Sequence, residues 1–192
     1  REYTEDAVLC ELRFIKEDGV ELPSKIYLFQ GLPKADKMEL IIQKAVELGV
    51  YQVIPVAMKR CVVKLDDKKA SSKLTRWQGI AEAAAKQSKR GIIPQITKVM
   101  TFAQALEYSR TAQVRLVPYE LAEGMDRTRE IIEQIQPGQD IAVFIGPEGG
   151  FDEAEIGKVI EAGTQPITLG KRILRTETAG MTVLSILMYH LE

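Results

Sequence analysis

Short apolar runs alternate with amphipathic helical stripes along most of the chain, and this alternation constrains the fold more than any other feature. The apolar runs lie at 25–30, 51–58, 114–119, 141–146 and 166–169, and they predict five strands. Apolar residues at helical spacing lie between them, as at Met38, Ile41, Ile42, Ala45 and Val46. Strands separated by helices are typical of βαβ units. The sequence therefore predicts an α/β fold, with a parallel sheet and helices on both of its faces.

Several helix starts and one unusual helix can be predicted from side-chain chemistry. Ser71 or Ser72 is expected to cap the helix that carries the following apolar residues: Leu74, Trp77, Ala81 and Ala84. Capping boxes are predicted at Thr101 with Gln104 and at Asp152 with Glu155. The last helix, about 178–191, is apolar on nearly every side. It is therefore expected in the core or at a subunit interface.

The first 24 residues have a different pattern from the rest. Residues 7–15 alternate, with Val8, Cys10, Leu12 and Phe14 on one side, and Gly19 gives a turn signal before Val20 and Leu22. One hairpin is too small to be stable alone. We therefore expect residues 1–24 to be the tail of a small β domain whose start is missing. Residues 25–192 form the second domain.

Composition excludes several classes of protein. No apolar run approaches the roughly 18 residues that cross a bilayer, so no membrane segment is expected. Two cysteines in 192 residues exclude a disulfide framework and a Cys-rich zinc site, and a reducing, cytoplasmic setting is expected. The one histidine, His190, lies near the C-terminus, so neither a metal site nor histidine chemistry is predicted. Cys10, Cys61 and Trp77 are assigned to packing, and His190 to a solvated end.

Positive charge is concentrated in one block. The chain has 26 Lys+Arg and 27 Asp+Glu, yet the block from Lys59 to Lys98 holds eleven cations and only three anions. Segregated positive charge is a signature of polyanion binding, because phosphate neutralisation releases counterions. A solvated, lysine-rich helix face is the alternative.

Two loops near the C-terminus combine glycines or charges with a preceding apolar strand. The first is the Gly146-Pro147-Glu148-Gly149-Gly150 loop. It matches neither GxGxxG nor the P-loop, so it is either a ligand site at a strand end or a simple tight turn. The second spans 169–179 and carries Arg175-Thr176-Glu177-Thr178. A helix cap by Thr176 or Thr178, with Glu177 at the positive end of the helix dipole, explains part of it. A helix cap does not explain the three cations of this loop, Lys171, Arg172 and Arg175.

The segments FIGPEGGFDEAEI (144–156) and LGKRILRTETAG (169–180) together resemble the ribosomal RNA small subunit methyltransferase E family of the SPOUT superfamily. Three more segments agree in order: 31–50, Arg60-Cys61 with Lys64, and 82–96. The resemblance covers about residues 25–192. It implies a C-terminal trefoil knot, S-adenosylmethionine as cofactor, a homodimer, and an N-terminal PUA-like β domain that would include residues 1–24. The implied activity is methylation of N3 of a uridine in 16S ribosomal RNA, free or in the assembled small subunit.

The resemblance also implies roles for individual residues. The cofactor would be held at Val117, Pro118, Ile145, Gly146, Pro147, Glu148, Gly149, Gly150, Leu169, Gly170, Ile173, Leu174, Thr176, Thr178 and Ala179. From what the implied reaction requires, we hypothesise that Arg175 and Arg60 stabilise the developing uridine anion or clamp the adjacent phosphate, and that Glu177 is the weaker candidate, for proton acceptor. RNA phosphates are expected to contact Lys34, Arg60, Lys86, Lys89, Arg90 and Arg172.

Two functions of other classes remain open. A non-catalytic RNA-binding module for ribosome assembly agrees with the basic block and predicts no cofactor binding. An α/β enzyme that binds another nucleotide or a phosphorylated metabolite through the 146–150 loop predicts indifference to RNA.

Overall fold

The computed structural model describes residues 2–13, 19–122 and 124–192. The strands in these ranges are β1 (Glu2–Tyr3), β2 (Val8–Leu9), β3 (Ile26–Gly31), β4 (Gln52–Ala57), β5 (Gln95–Ile96), β6 (Met100–Thr101), β7 (Val114–Pro118), β8 (Ile141–Ile145) and β9 (Gln165–Ile167). The helices are α1 (Lys37–Glu47), α2 (Asp67–Gln87), α3 (Phe102–Ser109), α4 (Met125–Glu133), α5 (Glu153–Glu161) and α6 (Thr176–Leu191).

A parallel sheet forms the centre of the fold. Its order is β5-β4-β3-β8-β7-β9, β6 pairs with β4, and the pairings between these strands are parallel. All five residues of β8 are buried, although successive side chains point to opposite faces. Both faces of the sheet are therefore covered, and the predicted parallel α/β architecture is confirmed.

The amphipathic stripes place the helices on the sheet as predicted. In α1 the buried residues are Met38, Ile41, Ile42, Ala45 and Val46, and this helix packs against α2 and α6. Both capping boxes are present, at the start of α3 and at the start of α5. Ile131 and Ile132 of α4 are buried, and Ile135 is buried just beyond the end of that helix.

The start of α2 was predicted too late. Its N-cap is Asp66, whose carboxylate accepts the backbone N–H of Lys69 at 2.8 Å. Ser71 and Ser72 lie inside the helix and are exposed. An Asp cap stabilises the first turn as well as a Ser cap does, and the intervening lysines and Ala70 favour helix. The helix therefore extends to the earlier cap.

Helix α6 begins at Thr176, and its buried apolar face includes Val183, Leu184 and Leu187. Tyr189 is 86% exposed and Met188 is only half-buried. The single chain therefore leaves one side of this apolar helix uncovered.

The N-terminal hairpin differs from its predicted form. β1 and β2 pair antiparallel at Glu2–Tyr3 and Val8–Leu9, so the turn lies before residue 8 and not at Gly19. The residues that were expected to share an apolar side, Val8, Cys10 and Leu12, are exposed, and Phe14 lies outside the described residues. Leu22 is not in a strand; its side chain occupies the space beside Gly49.

Candidate functional site

A cleft of about 420 Å³ opens where three neighbouring strands of the sheet end. Its walls are the loops that follow β7, β8 and β9, together with the first turn of α6. Residues that line it are Pro118, Tyr119, Glu120, Ile145, Gly146, Pro147, Glu148, Gly149, Gly150, Phe151, Thr168, Leu169, Gly170, Lys171, Arg172, Ile173, Leu174, Arg175, Thr176 and Ala179. The carboxyl ends of parallel strands meet at one edge of a sheet, where open α/β folds bind their ligands. The two loops singled out in the sequence therefore form one site.

Most of the expected cofactor residues lie in this cleft, but two do not. Val117 is fully buried within β7 and does not line it. Thr178 is exposed on α6 and also lies outside the lining. Tyr119, Glu120, Phe151 and Thr168 line the cleft and were missed, because no motif singles out residues that simply follow a strand.

The 146–150 loop is both a tight turn and a wall of the cleft. The two interpretations of its glycines, as a simple turn and as part of a ligand site, are therefore compatible. Gly150 donates its N–H to the carbonyl of Pro147 at 2.9 Å and has a φ of +69°, which suits glycine. The loop also lies tight against the end of β3. A Cβ added at Gly31 stands 2.7 Å from the nitrogen of Pro147. The loop is therefore held by its own turn and by the neighbouring strand.

Thr176 joins the two cleft loops to β3 and does not cap α6. Its hydroxyl donates to the carbonyl of Gly146 at 2.6 Å and accepts from Nε2 of Gln30 at 2.9 Å. The N-cap position belongs to Arg175, which makes no side-chain capping bond. Gln30 is fully buried and was missed by the sequence analysis. The available signal was a polar residue inside an otherwise apolar strand.

Lys37 lies between two carboxylates, one of which belongs to the 146–150 loop. Its Nζ is 3.2 Å from Oε1 of Glu148 and 3.4 Å from Oε2 of Glu177. Glu148 also accepts the backbone N–H of Lys34 at 3.0 Å. Burial alone would raise the pKa of Glu148, but these hydrogen bonds and the Lys37 charge outweigh it and lower the pKa. Glu148 is therefore an ionised anchor of the loop.

The expected role of Glu177 as proton acceptor is not supported by its position. Its carboxylate pairs with Lys37 and lies outside the cleft lining. A proton acceptor must reach the proton that it removes, so we assign Glu177 to the anchoring of Lys37 instead.

Arg60 also contacts the 146–150 loop. Its Nη1 donates to the carbonyl of Gly149 at 3.2 Å. The preceding residue, Lys59, pairs with Oδ2 of Asp152 at 2.9 Å and donates its backbone N–H to Oε1 of Glu155 at 2.9 Å. The Lys59 ammonium is the main reason that the pKa of Asp152 is lowered. The loop after β4 is therefore attached to the start of α5.

Cations line the open side of the cleft. Lys171, Arg172 and Arg175 are exposed and belong to its lining. None of the three forms an ion pair with the residues that the structure describes. Their positive charges are available to an anionic ligand.

The other expected phosphate contacts are divided between surface and interior. Lys34, Lys86 and Lys89 are exposed, and Lys86 pairs with Glu82 at 2.6 Å. Arg90 was wrongly placed among these phosphate contacts. Its side chain is only 5% exposed and donates to the carboxylate of Glu21 and to two backbone carbonyls. It has no free face for a phosphate.

The residues assigned to packing show mixed outcomes. Cys61 and Trp77 are buried as predicted, but Cys10 is exposed. His190 was expected to be solvated, yet it is half-buried and its Nε2 lies 2.9 Å from the carbonyl oxygen of Ile135.

Within the described ranges, no three His, Cys, Asp or Glu residues are arranged to hold a metal ion. In the same ranges, no helix is both long and apolar enough to cross a membrane.

Comparison with known proteins gives consistent matches over nearly the whole chain. An RNA methyltransferase domain family matches residues 20–188. Ribosomal RNA small subunit methyltransferase E of Bacillus subtilis is 40% identical over 95% of this chain and 77% of its own length. The protein of the same name from Mesomycoplasma hyopneumoniae is 38% identical, over 86% of this chain and 70% of its own.

Two solved structures similar to this chain were determined with S-adenosylmethionine. A putative methyltransferase from Legionella pneumophila has a TM-score of 0.82 and 35% identity, with 91% of this chain and 69% of that chain covered. A ribosomal RNA small subunit methyltransferase E from Neisseria gonorrhoeae has a TM-score of 0.78 and 36% identity, with 88% and 68% covered.

Proposed function

Because the chain belongs to the ribosomal RNA small subunit methyltransferase E family, we propose that it transfers a methyl group from S-adenosylmethionine to N3 of a uridine in small-subunit ribosomal RNA. The observation that carries the proposal is the cleft at the ends of β7, β8 and β9. Thirteen of the fifteen residues expected to hold the cofactor line it. The two similar structures that contain S-adenosylmethionine give independent support.

The chemistry of the cleft lining fits S-adenosylmethionine. Its volume of about 420 Å³ lies within the range of small-molecule sites, roughly 300–1,000 Å³. Leu169, Ile173 and Leu174 offer apolar surface for the adenine. The 146–150 loop and Gly170 bring backbone hydrogen-bonding groups to the same wall, as the ribose and the adenine edge require.

We assign the main catalytic role to Arg175. S-adenosylmethionine supplies a methyl group that is already activated by its sulfonium. The protein must therefore orient the uridine and stabilise the anion that remains when N3 loses its proton. Arg175 lines the cleft, is exposed, and has no competing ion pair with a described residue. Arg60, beside Gly149, is the second candidate for this role or for the adjacent phosphate.

We assign RNA binding to exposed cations around the cleft and on the basic block. These are Lys34, Arg60, Lys86, Lys89 and Arg172. Phosphate contacts weaken as salt is raised, so loss of each contact should flatten the dependence of affinity on salt. Arg90 is left out of this group.

Three structural features belong to the same proposal. The chain leaves the sheet edge at β9 and returns to the middle of the sheet, where Thr176 contacts Gln30 and Gly146; we propose that this return path is the trefoil knot. The uncovered side of α6 is the proposed homodimer contact. The exposed apolar hairpin of β1 and β2 is assigned, with residues 1–24, to the tail of a PUA-like domain, and residues 25–192 to the methyltransferase domain.

Methyl transfer from labelled S-adenosylmethionine to a small-subunit ribosomal RNA transcript, or to the assembled subunit, tests the proposal. We expect labelled 3-methyluridine from the wild type and a loss of roughly 100-fold or more in rate for Arg175→Ala, as for removal of one group that stabilises developing negative charge. Arg110→Ala is the matched control, because Arg110 follows α3 at the other end of the sheet.

The contrary results separate the alternatives. RNA binding without cofactor binding would favour the assembly module. Full turnover by Arg175→Ala with both substrates saturating would refute the assignment of Arg175 and leave the activity standing.

A further inference from the structure

The two carboxylates that cap α5 each use only one oxygen for the cap. Oδ1 of Asp152 accepts the N–H of Ala154 at 3.2 Å, and Oε2 of Glu155 accepts the N–H of Asp152 at 3.5 Å. Their remaining oxygens both bind Lys59. Oδ2 of Asp152 pairs with its ammonium, and Oε1 of Glu155 accepts its backbone N–H. A helix cap alone does not explain this second set of bonds.

The second set fixes both the main chain and the side chain of Lys59. Glu155 is buried, at 9% exposure, so water competes little for the bond from the Lys59 N–H. The Asp152 side chain is 16% exposed but that of Lys59 is 69% exposed, so their ion pair is partly open to water and contributes modestly. Hydrogen bonds to charged groups at such positions are among the stronger ones. The position of the following residue, Arg60, is thereby restricted at its backbone.

Arg60 is also restricted at its side chain. Its Nη1 donates to the carbonyl of Gly149, and a Cβ added at Gly149 would stand 3.2 Å from the Cβ of Arg60. The arginine is therefore held from two sides, by α5 through Lys59 and by the cleft loop through Gly149. A side chain that is already ordered loses less entropy when it binds a ligand.

We infer that Asp152 and Glu155 are positioning residues for Arg60, which they hold through Lys59 in the orientation that contacts RNA beside the cleft. The inference rests on the proposed function, because it requires Arg60 to contact RNA. Neither carboxylate lines the cleft, so they act on RNA binding and not on cofactor binding.

Simple electrostatics predicts the opposite effect for these carboxylates. A negative charge on a face that binds RNA repels phosphates, so its removal should strengthen binding. If Asp152 positions Arg60, its removal should weaken binding even though the face becomes more positive. The sign of the change therefore distinguishes positioning from charge alone.

Asp152→Asn is the variant of choice, because Asn caps helices about as well as Asp and α5 should remain folded. The matched control is Glu153→Gln, which removes the same charge from the same turn; Glu153 is exposed and pairs with no described cation. The assay is binding of a small-subunit ribosomal RNA transcript with saturating S-adenosylmethionine, alongside calorimetric cofactor binding and thermal unfolding of each variant.

We expect Asp152→Asn to weaken RNA binding roughly threefold to fivefold, the fold-change that corresponds to one ion pair at a partly exposed site. Cofactor affinity should stay unchanged, and Glu153→Gln should bind RNA as well as the wild type or slightly better. In an Arg60→Ala background, Asp152→Asn should cause no further loss, because the residue it positions is gone.

Two results would overturn the positioning role. One is RNA binding by Asp152→Asn that equals or exceeds that of the wild type. The other is a loss of the same size with and without Arg60. Neither result bears on the proposed function, which stands as long as the wild type methylates RNA in the assay described above. A wild type that neither binds nor methylates RNA refutes the proposed function, and the positioning role falls with it.

Discussion

Gly31 is the position where one added methyl group should damage the cleft most directly. It ends β3, and a Cβ there would stand 2.7 Å from the nitrogen and 2.8 Å from Cδ of Pro147, and 3.0 Å from Sδ of Met58. Real Cβ atoms essentially never approach other atoms within 3.0 Å. Met58 has a flexible side chain, but the Pro147 contacts are backbone and ring atoms. Gly31→Ala must therefore displace the 146–150 loop by several tenths of an ångström.

The expected cost follows from this overlap. Overpacking of a well-packed site typically costs about 1–3 kcal/mol, and each kcal/mol lowers the Tm of a domain of this size by roughly 2–4 °C. Because Pro147 also lines the cleft, affinity for S-adenosylmethionine should fall as well. Denaturant unfolding measures the first effect, and calorimetric titration with the cofactor measures the second.

Gly79→Ala is the matched control. Gly79 lies within α2, and a Cβ there meets nothing within 4 Å. This substitution should stabilise the protein by about 0.5–1 kcal/mol, because alanine loses less backbone entropy in a helix, and it should leave cofactor binding unchanged. Equal unfolding midpoints and equal cofactor affinities for Gly31→Ala and the wild type would refute the reasoning.

Two further predictions concern buried polar contacts. Thr176→Val keeps the shape of the side chain but removes the donor to Gly146 and an acceptor of Gln30, so the free energy of unfolding should fall by about 1–3 kcal/mol. Thr176→Ser keeps the hydroxyl, and an equal loss in both variants would contradict a hydrogen-bonding cause. Burial alone would raise the pKa of Glu21, but the Arg90 guanidinium and the backbone outweigh it and lower the pKa. This contribution to stability is present above the carboxyl's ordinary pKa of 4.5 and is lost as the pH falls through the lower folded value. Removing Arg90 as Arg90→Met should therefore lower the free energy of unfolding by about 1.5–3 kcal/mol near neutral pH. The stability of this variant should depend less on pH below about 5; parallel pH profiles for the two proteins would argue against the ion pair.

The sheet and most helices could be predicted because each depends on a local pattern. Buried strands such as β8 read as continuous apolar runs, and α1 carries its apolar stripe at helical spacing. The capping boxes are defined within four residues. Local chemistry of this kind is visible in the sequence without knowledge of the fold.

Three of the errors arose where a side chain acts at long range. Arg90 and Glu21 are 69 positions apart, so the charge pattern could not reveal that this arginine is buried. Thr176 fits a helix cap by sequence, but the folded chain offers it Gly146 and Gln30 instead. Glu177 lies next to cleft residues in the sequence, but its carboxylate pairs with Lys37, which is 140 positions away in the chain, and lies outside the cleft lining. Tertiary contacts override local preference at each of these positions.

The hydrogen bonds of Thr176 also constrain the order in which the site can form. They join chain positions 30, 146 and 176, and contacts between such distant positions form late because long loops must close first. During synthesis, β3 and β8 leave the ribosome before Thr176 does. The wall of the cleft that the first turn of α6 supplies is therefore absent until α6 has been made. Ligand binding by a nascent chain would therefore report that its C-terminal helix has docked.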